Sequence, residues 1–114
     1  MRIPVDLTNF REIAGGDKAL EKALFEEFIK SADQYIIALS QESFKGGNEN
    51  WRETAHAFKG IALNLGALAL GELCKNAQEA SEESKEFKLN LLNKIKQEYE
   101  LVRAYIVSVN ASSG

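Results

Sequence analysis

The chain carries one proline in 114 residues, and it stands at position 4. From Val5 onward every residue keeps its backbone N–H and its access to helical φ/ψ, so helices can run long. Apolar residues in that stretch recur at steps of three and four, and the period-two alternation of a half-buried strand is absent. Glycine supplies the punctuation instead, at Gly15-Gly16, Gly46-Gly47, Gly60, Gly66 and Gly71.

This punctuation predicts a short helix over Asp6 to Ala14 with Phe10 and Ile13 on one side, too short to persist unless it packs across something larger. Asp17 is a suitable N-cap for a second helix to about Ser43, and Glu21 places negative charge in its first turn. Leu20, Leu24, Phe28, Ala32, Tyr35 and Leu39 form its stripe, widened by Phe25, Ile29 and Ile36. A face that broad suits a bundle better than a two-stranded coiled coil. After the Gly46-Gly47-Asn48 break, Asn50 and Glu53 have capping-box spacing, although Asn48 could cap instead. The helix that follows runs to about Gly66. The next places Leu70, Leu73, Cys74, Ala77 and Ala80 inward, Ser81 to Glu86 forms a turn, and the last helix carries Leu92, Ile95, Tyr99, Val102, Ile106 and Val109. Ala111 to Gly114 reads as a frayed tail.

None of these helices can hide its stripe alone, and the joins are short. The expected fold is therefore all-α: an antiparallel up-down-up-down four-helix bundle with a short additional N-terminal helix. A homodimer of longer hairpins is the competing arrangement. Length and a 45% hydrophobic composition support one domain over 1–114, with a core of about 5–109. Because the bundle can close within one chain, a monomer is expected.

Composition narrows the function classes. Seventeen acids against fourteen bases give a net charge of -3, which supplies no general attraction to nucleic acid or an anionic membrane. The nearly apolar run from Ile61 to Leu70 falls well short of the ~20 residues needed to cross a bilayer. One cysteine, Cys74, precludes an intrachain disulfide and fits a reducing cytoplasm. The N-terminus shows no secretory signal. A single histidine and a single cysteine are too few for a zinc cluster, and Glu53-x-x-His56 lacks the second motif that a di-metal bundle needs. Gly15-Gly16 and Gly46-Gly47 lack the context of a phosphate loop. Cys74 shares its stripe with Leu70, Leu73 and Ala77 and reads as a core thiol.

On a wheel with Trp51 at zero, Ala55, Phe58, Ala62 and Leu65 fall within about 40 degrees of it and define the buried face. His56 lies at about 140 degrees and Gly60 at about 180, while Lys59 and Leu63 flank them at about 80 and 120. The one histidine thus projects outward from the middle of a long helix. Gly60, disfavoured in a helix interior, sits beside the imidazole rather than against the core and clears space for another molecule's approach. Neutral tolerance of a surface glycine and an indifferent surface histidine are the bland alternatives. A neutral imidazole nitrogen can attack an activated phosphoryl group, and Lys59, one turn on, supplies a mobile cation for its oxygens. Glu53 could orient the ring, although its position also fits ordinary solvation. Leu63 and Ala67 extend an apolar strip beside His56, with Arg52 and Lys59 along a margin, as a partner-binding surface would.

The run Ala55-His56-Ala57-Phe58-Lys59-Gly60-Ile61-Ala62-Leu63-Asn64-Leu65-Gly66-Ala67 closely resembles the signature of histidine-containing phosphotransfer domains. His56 stands at that family's phospho-accepting position, Phe58 at its large apolar position, and Lys59-Gly60 at its lysine-glycine pair. Ala62 and Gly66 match the later small residue and glycine. The short leading helix, the Gly-Gly-Asp opening of the first long helix and the Asn-x-Trp lead-in extend the likeness over roughly Val5 to Val109. Ala77 and Ala80 depart from it, since family members often carry larger aliphatics there.

The resemblance implies a phosphocarrier, not an enzyme with its own turnover. It would accept a phosphoryl group on His56 from a receiver-domain aspartate and pass it to another receiver in a His-Asp phosphorelay. The implied partners are response-regulator receiver domains, of a hybrid histidine kinase and a downstream regulator, docking on the first long helix and the histidine helix. This chain would need no cofactor, because the divalent metal belongs to the receiver. Met1 and the family-sized length carry the expectation of a free-standing cytoplasmic protein. The alternative is a non-catalytic bundle that sequesters or inhibits a receiver or kinase. Such a module would keep binding after His56→Ala, whereas a relay would lose signal passage.

Overall fold

The computed structural model describes residues 3–45 and 48–113, apart from the side chains of residues 44, 45 and 111–113. It contains helices α1 (Thr8–Ala14), α2 (Lys18–Lys45), α3 (Asn48–Leu65), α4 (Leu68–Glu79) and α5 (Lys85–Ser113), with no strand among the described residues. Each long helix packs on the next and α2 closes the ring onto α5, while α1 crosses one end against α2 and α3. Cross-helix contacts give the directions. Thr54, early in α3, donates to Glu42 near the end of α2 at 3.1 Å. His56 and Leu63 on α3 face Gln78 and Gly71 on α4, in descending order.

The expected stripe of α3 is the buried one: Trp51, Ala55, Phe58, Ala62 and Leu65 all face inward. Leu92, Ile95, Tyr99, Val102 and Ile106 of α5 meet them from the opposite side. Polar groups drawn into this core find partners, as a low-dielectric interior demands. The Trp51 indole donates to the Ala77 carbonyl at 2.7 Å. Buried Lys88 donates to Asn48 Oδ1 at 2.6 Å and sits 5.4 Å from the Trp51 ring centroid. The Tyr99 hydroxyl donates to Asp33 at 2.8 Å, bracing α5 against α2. Cys74 is fully buried, and burial pushes its thiol up to about 12.

The α3–α4 corner is closed by a glycine in the left-handed region, Gly66 at φ 99°, with Ala67 N–H reaching back to the Ala62 carbonyl at 2.9 Å. The N-terminal segment straps this corner, because Asp6 N–H donates to the Gly66 carbonyl at 2.9 Å. Asp6 also accepts from the Thr8 hydroxyl and N–H, bonds that hold its carboxyl below the ordinary range.

Several local expectations change. Ile13 is 77% exposed and Ala14 takes the inward place beside Phe10, which stacks on Phe25 at 4.8 Å. Leu20 and Leu24 are exposed while Glu21 is buried, ion-paired with Arg11 at 3.6 Å and Lys18 at 3.8 Å. Helix α1 crosses this end of α2 and its Arg11 pairs with Glu21, which draws that side of α2 inward. Asp17 does cap α2, accepting from Leu20 N–H at 3.1 Å. Asn50 lies inside α3, which begins at Asn48, so it caps nothing. The turn ends before Lys85, and α5 continues through the expected tail to Ser113. The Gly46-Gly47 break, Gly114 and the first two residues of the N-terminus lie outside the described residues. Among the described residues no helix is long and apolar enough to cross a membrane.

Candidate functional site on the outer face of α3

Because the Trp51 stripe is consumed by the core, the opposite side of α3 is left to water. His56 is exposed there, in the middle of an 18-residue helix. Gly60, one turn on, is exposed as well, and a Cβ built on it would meet nothing within 4 Å. The fold therefore makes no demand for a glycine at this position. Lys59 is half-buried and Leu63 is 45% exposed, both on the flank that turns toward α4. Arg52 is exposed and pairs with Glu49 at 3.7 Å along its own helix.

Ala67 departs from the expected strip. It is fully buried at the N-cap of α4, where the Gly66 turn has rolled it under the corner, so its side chain is withdrawn from the surface. The outer apolar strip beside His56 ends at Leu63.

The partner of the imidazole also differs from the sequence-based candidate. His56 Nδ1 lies 3.3 Å from Gln78 Oε1 on α4, and exposed Glu53 plays no part in holding the ring. An amide oxygen only accepts, so the tautomer that makes this hydrogen bond carries its proton on Nδ1 and its lone pair on Nε2, the nitrogen farther from the helix. Gln78 was invisible to a wheel drawn on α3. It becomes apparent only from the antiparallel register that sets residue 78 opposite residue 56.

A helical bundle presenting its sole histidine on an open face, with a lysine and a bare glycine within one turn, is shaped to offer an imidazole to another molecule. The Hpt domain model matches residues 23–105, and the chain belongs to the Hpt domain family of histidine phosphotransfer carriers, which work with response-regulator receiver domains. The fold is similar to the crystal structure of histidine-containing phosphotransfer protein B (HptB) from Pseudomonas aeruginosa PAO1, with a TM-score of 0.87, 21% identity and coverage of 98% of both chains. No curated protein sequence matches the chain.

Proposed function

We propose that His56 accepts a phosphoryl group from a receiver-domain phosphoaspartate and delivers it to a second receiver in a His-Asp phosphorelay. One observation carries this reading: the only histidine of the chain stands exposed at mid-helix, beside a glycine that the fold itself does not require. Nε2 attacks phosphorus, the N–P bond forms as the aspartyl O–P bond breaks, and the carboxylate leaves. The Nδ1 proton stays on the ring, facing Gln78. Lys59 offers its ammonium to the phosphoryl oxygens from one turn away, as a flexible point charge. Bare backbone at Gly60 lets the convex imidazole enter the receiver's pocket, which supplies the divalent metal, so this chain uses no cofactor of its own.

Docking would centre on His56 and Leu63, with Arg52 on the rim, and extend toward α2. There a groove of about 400 Å³ is lined by Phe10, Ile13, Leu24, Phe28, Ile61 and Leu65. An apolar centre with charged margins suits a transient protein interface. The single buried cysteine suits a reducing compartment, and a core closed within one chain supports a monomer.

Incubation with a panel of phosphorylated receivers should place acid-labile, alkali-stable phosphate on His56. His56→Gln should abolish it, and Lys59→Ala should slow transfer about tenfold or more with the helical circular dichroism unchanged. Absence of transfer from every receiver of the source organism would overturn the proposal, and an unaltered Lys59→Ala rate would remove the lysine's role.

A further inference from the structure

The bare step at Gly60 is bounded on one side by the imidazole and on the other by Leu63, seven residues and about 10 Å further along the same helix face. What holds Leu63 in place lies on the neighbouring helix. Gly71 is buried in α4, and a Cβ built there would stand 2.5 Å from Leu63 Cδ2 and 2.9 Å from Cγ. Its next neighbour, the Ala62 Cβ at 3.9 Å, is an ordinary contact. The notch left by Gly71 is therefore filled by one side chain, and that side chain belongs to the outer surface of α3.

We propose that Gly71 is a specificity-determining position of the receiver-docking surface: its missing side chain seats Leu63 low against α4 and keeps the Gly60 step open. The inference rests on the phosphocarrier reading. Two helical glycines then divide the work. Gly60 leaves space directly beside the imidazole, and Gly71 leaves it indirectly, by lowering the residue that borders that space. A methyl group at position 71 would collide with the end of a flexible side chain rather than with backbone. The cheap response is for Leu63 to rotate out of the notch while the helices stay packed. The raised isobutyl group would then meet the incoming receiver, whose approach needs a close fit, whereas a small phosphodonor would pass it.

Gly71→Ala, Leu63→Ala and the double variant should be compared with the wild type in two reactions. One is transfer from a phosphorylated receiver. The other is labelling by phosphoramidate, whose P–N bond breaks to release ammonia as the His56 Nε2–P bond forms. Gly71→Ala should slow receiver transfer at least about fivefold, through weaker docking, and leave phosphoramidate labelling unchanged. In the Leu63→Ala background Gly71→Ala should add no further loss, because the colliding atoms are gone. Leu63→Phe, which overfills the notch from the other side, should also slow receiver transfer and keeps the question open to test if Gly71→Ala unfolds. Receiver transfer at the wild-type rate in Gly71→Ala would overturn the inference alone. So would a loss that persists in the double variant, or a matching loss with phosphoramidate. A wild type that takes label from phosphoramidate but from no receiver would defeat the phosphocarrier reading itself.

Discussion

Nδ1 of His56 lies 3.3 Å from the Gln78 amide oxygen, and the tautomer that donates across this gap leaves its lone pair on the outward Nε2. Removing that acceptor leaves the tautomers free to mix and the ring free to turn. Gln78→Ala should lower the transfer rate about three- to tenfold, in line with the modest worth of one orienting hydrogen bond. The loss should coincide with a larger share of the Nε2–H tautomer in nitrogen chemical shifts of His56. Gln78→Glu, still an acceptor at the same reach, should restore the tautomer ratio. A tautomer ratio indifferent to both variants would show that Gln78 merely lies nearby. At this scale the sequence placed His56, Lys59 and Gly60 together on the outer side of one helix. It missed the orienting group because Gln78 is twenty-two positions away and meets His56 only through the α3–α4 register.

The elements are held in that register by a few specific fastenings. The α3–α4 corner depends on Gly66, whose φ of 99° suits no ordinary side chain and whose absent Cβ leaves room for the Asp6 carbonyl. Gly66→Ala should destabilise the protein by at least about 2 kcal/mol, combining a strained backbone with displacement of the N-terminal strap. Urea unfolding at neutral pH checks it, and a loss below about 0.5 kcal/mol would mean that strap and corner yield without cost. Glycine at the end of a helical stripe was legible as a stop. That the same glycine receives the N-terminal strap was not, since this contact joins residues sixty positions apart. The same limit explains α1 and the start of α2, where a wheel offered Ile13, Leu20 and Leu24 to the core. Phe25 is buried as its stripe required, but beside α1 the inward places go to Ala14 and the ion-paired Glu21 instead.

Taken whole, the bundle keeps two acidic groups protonated in its interior. Burial raises the Cys74 thiol from 9.0 to about 12. The Tyr99 phenol is raised above its ordinary value, first by burial and then by donating to Asp33. Both groups bind their proton more tightly in the folded state than in the unfolded one. Their contribution to stability is complete below about pH 9 and falls as the pH rises beyond it, because the unfolded chain ionises first. The limiting slope is about 1.4 kcal/mol per pH unit for each proton. Urea midpoints at pH 7, 9 and 10.5 should therefore decline for the wild type, and the combined Cys74→Ala and Tyr99→Phe variant should show a shallower decline from a lower starting value. Parallel declines in the two proteins would assign the alkaline sensitivity to other groups.

The sequence by itself determined the helical class, the number of long helices, the buried stripes of α3 and α5, and the outward place of His56. Each of these follows from short-range periodicity, since residues three and four apart share a face whatever else the chain does. Only the tertiary structure decided that Gln78 holds the imidazole, that Ala67 is withdrawn under the corner, and that Leu63 rests in the notch of Gly71. Those facts belong to the register and crossing of separate helices, which are set by the packing of whole side-chain surfaces and leave no periodic mark within any one segment.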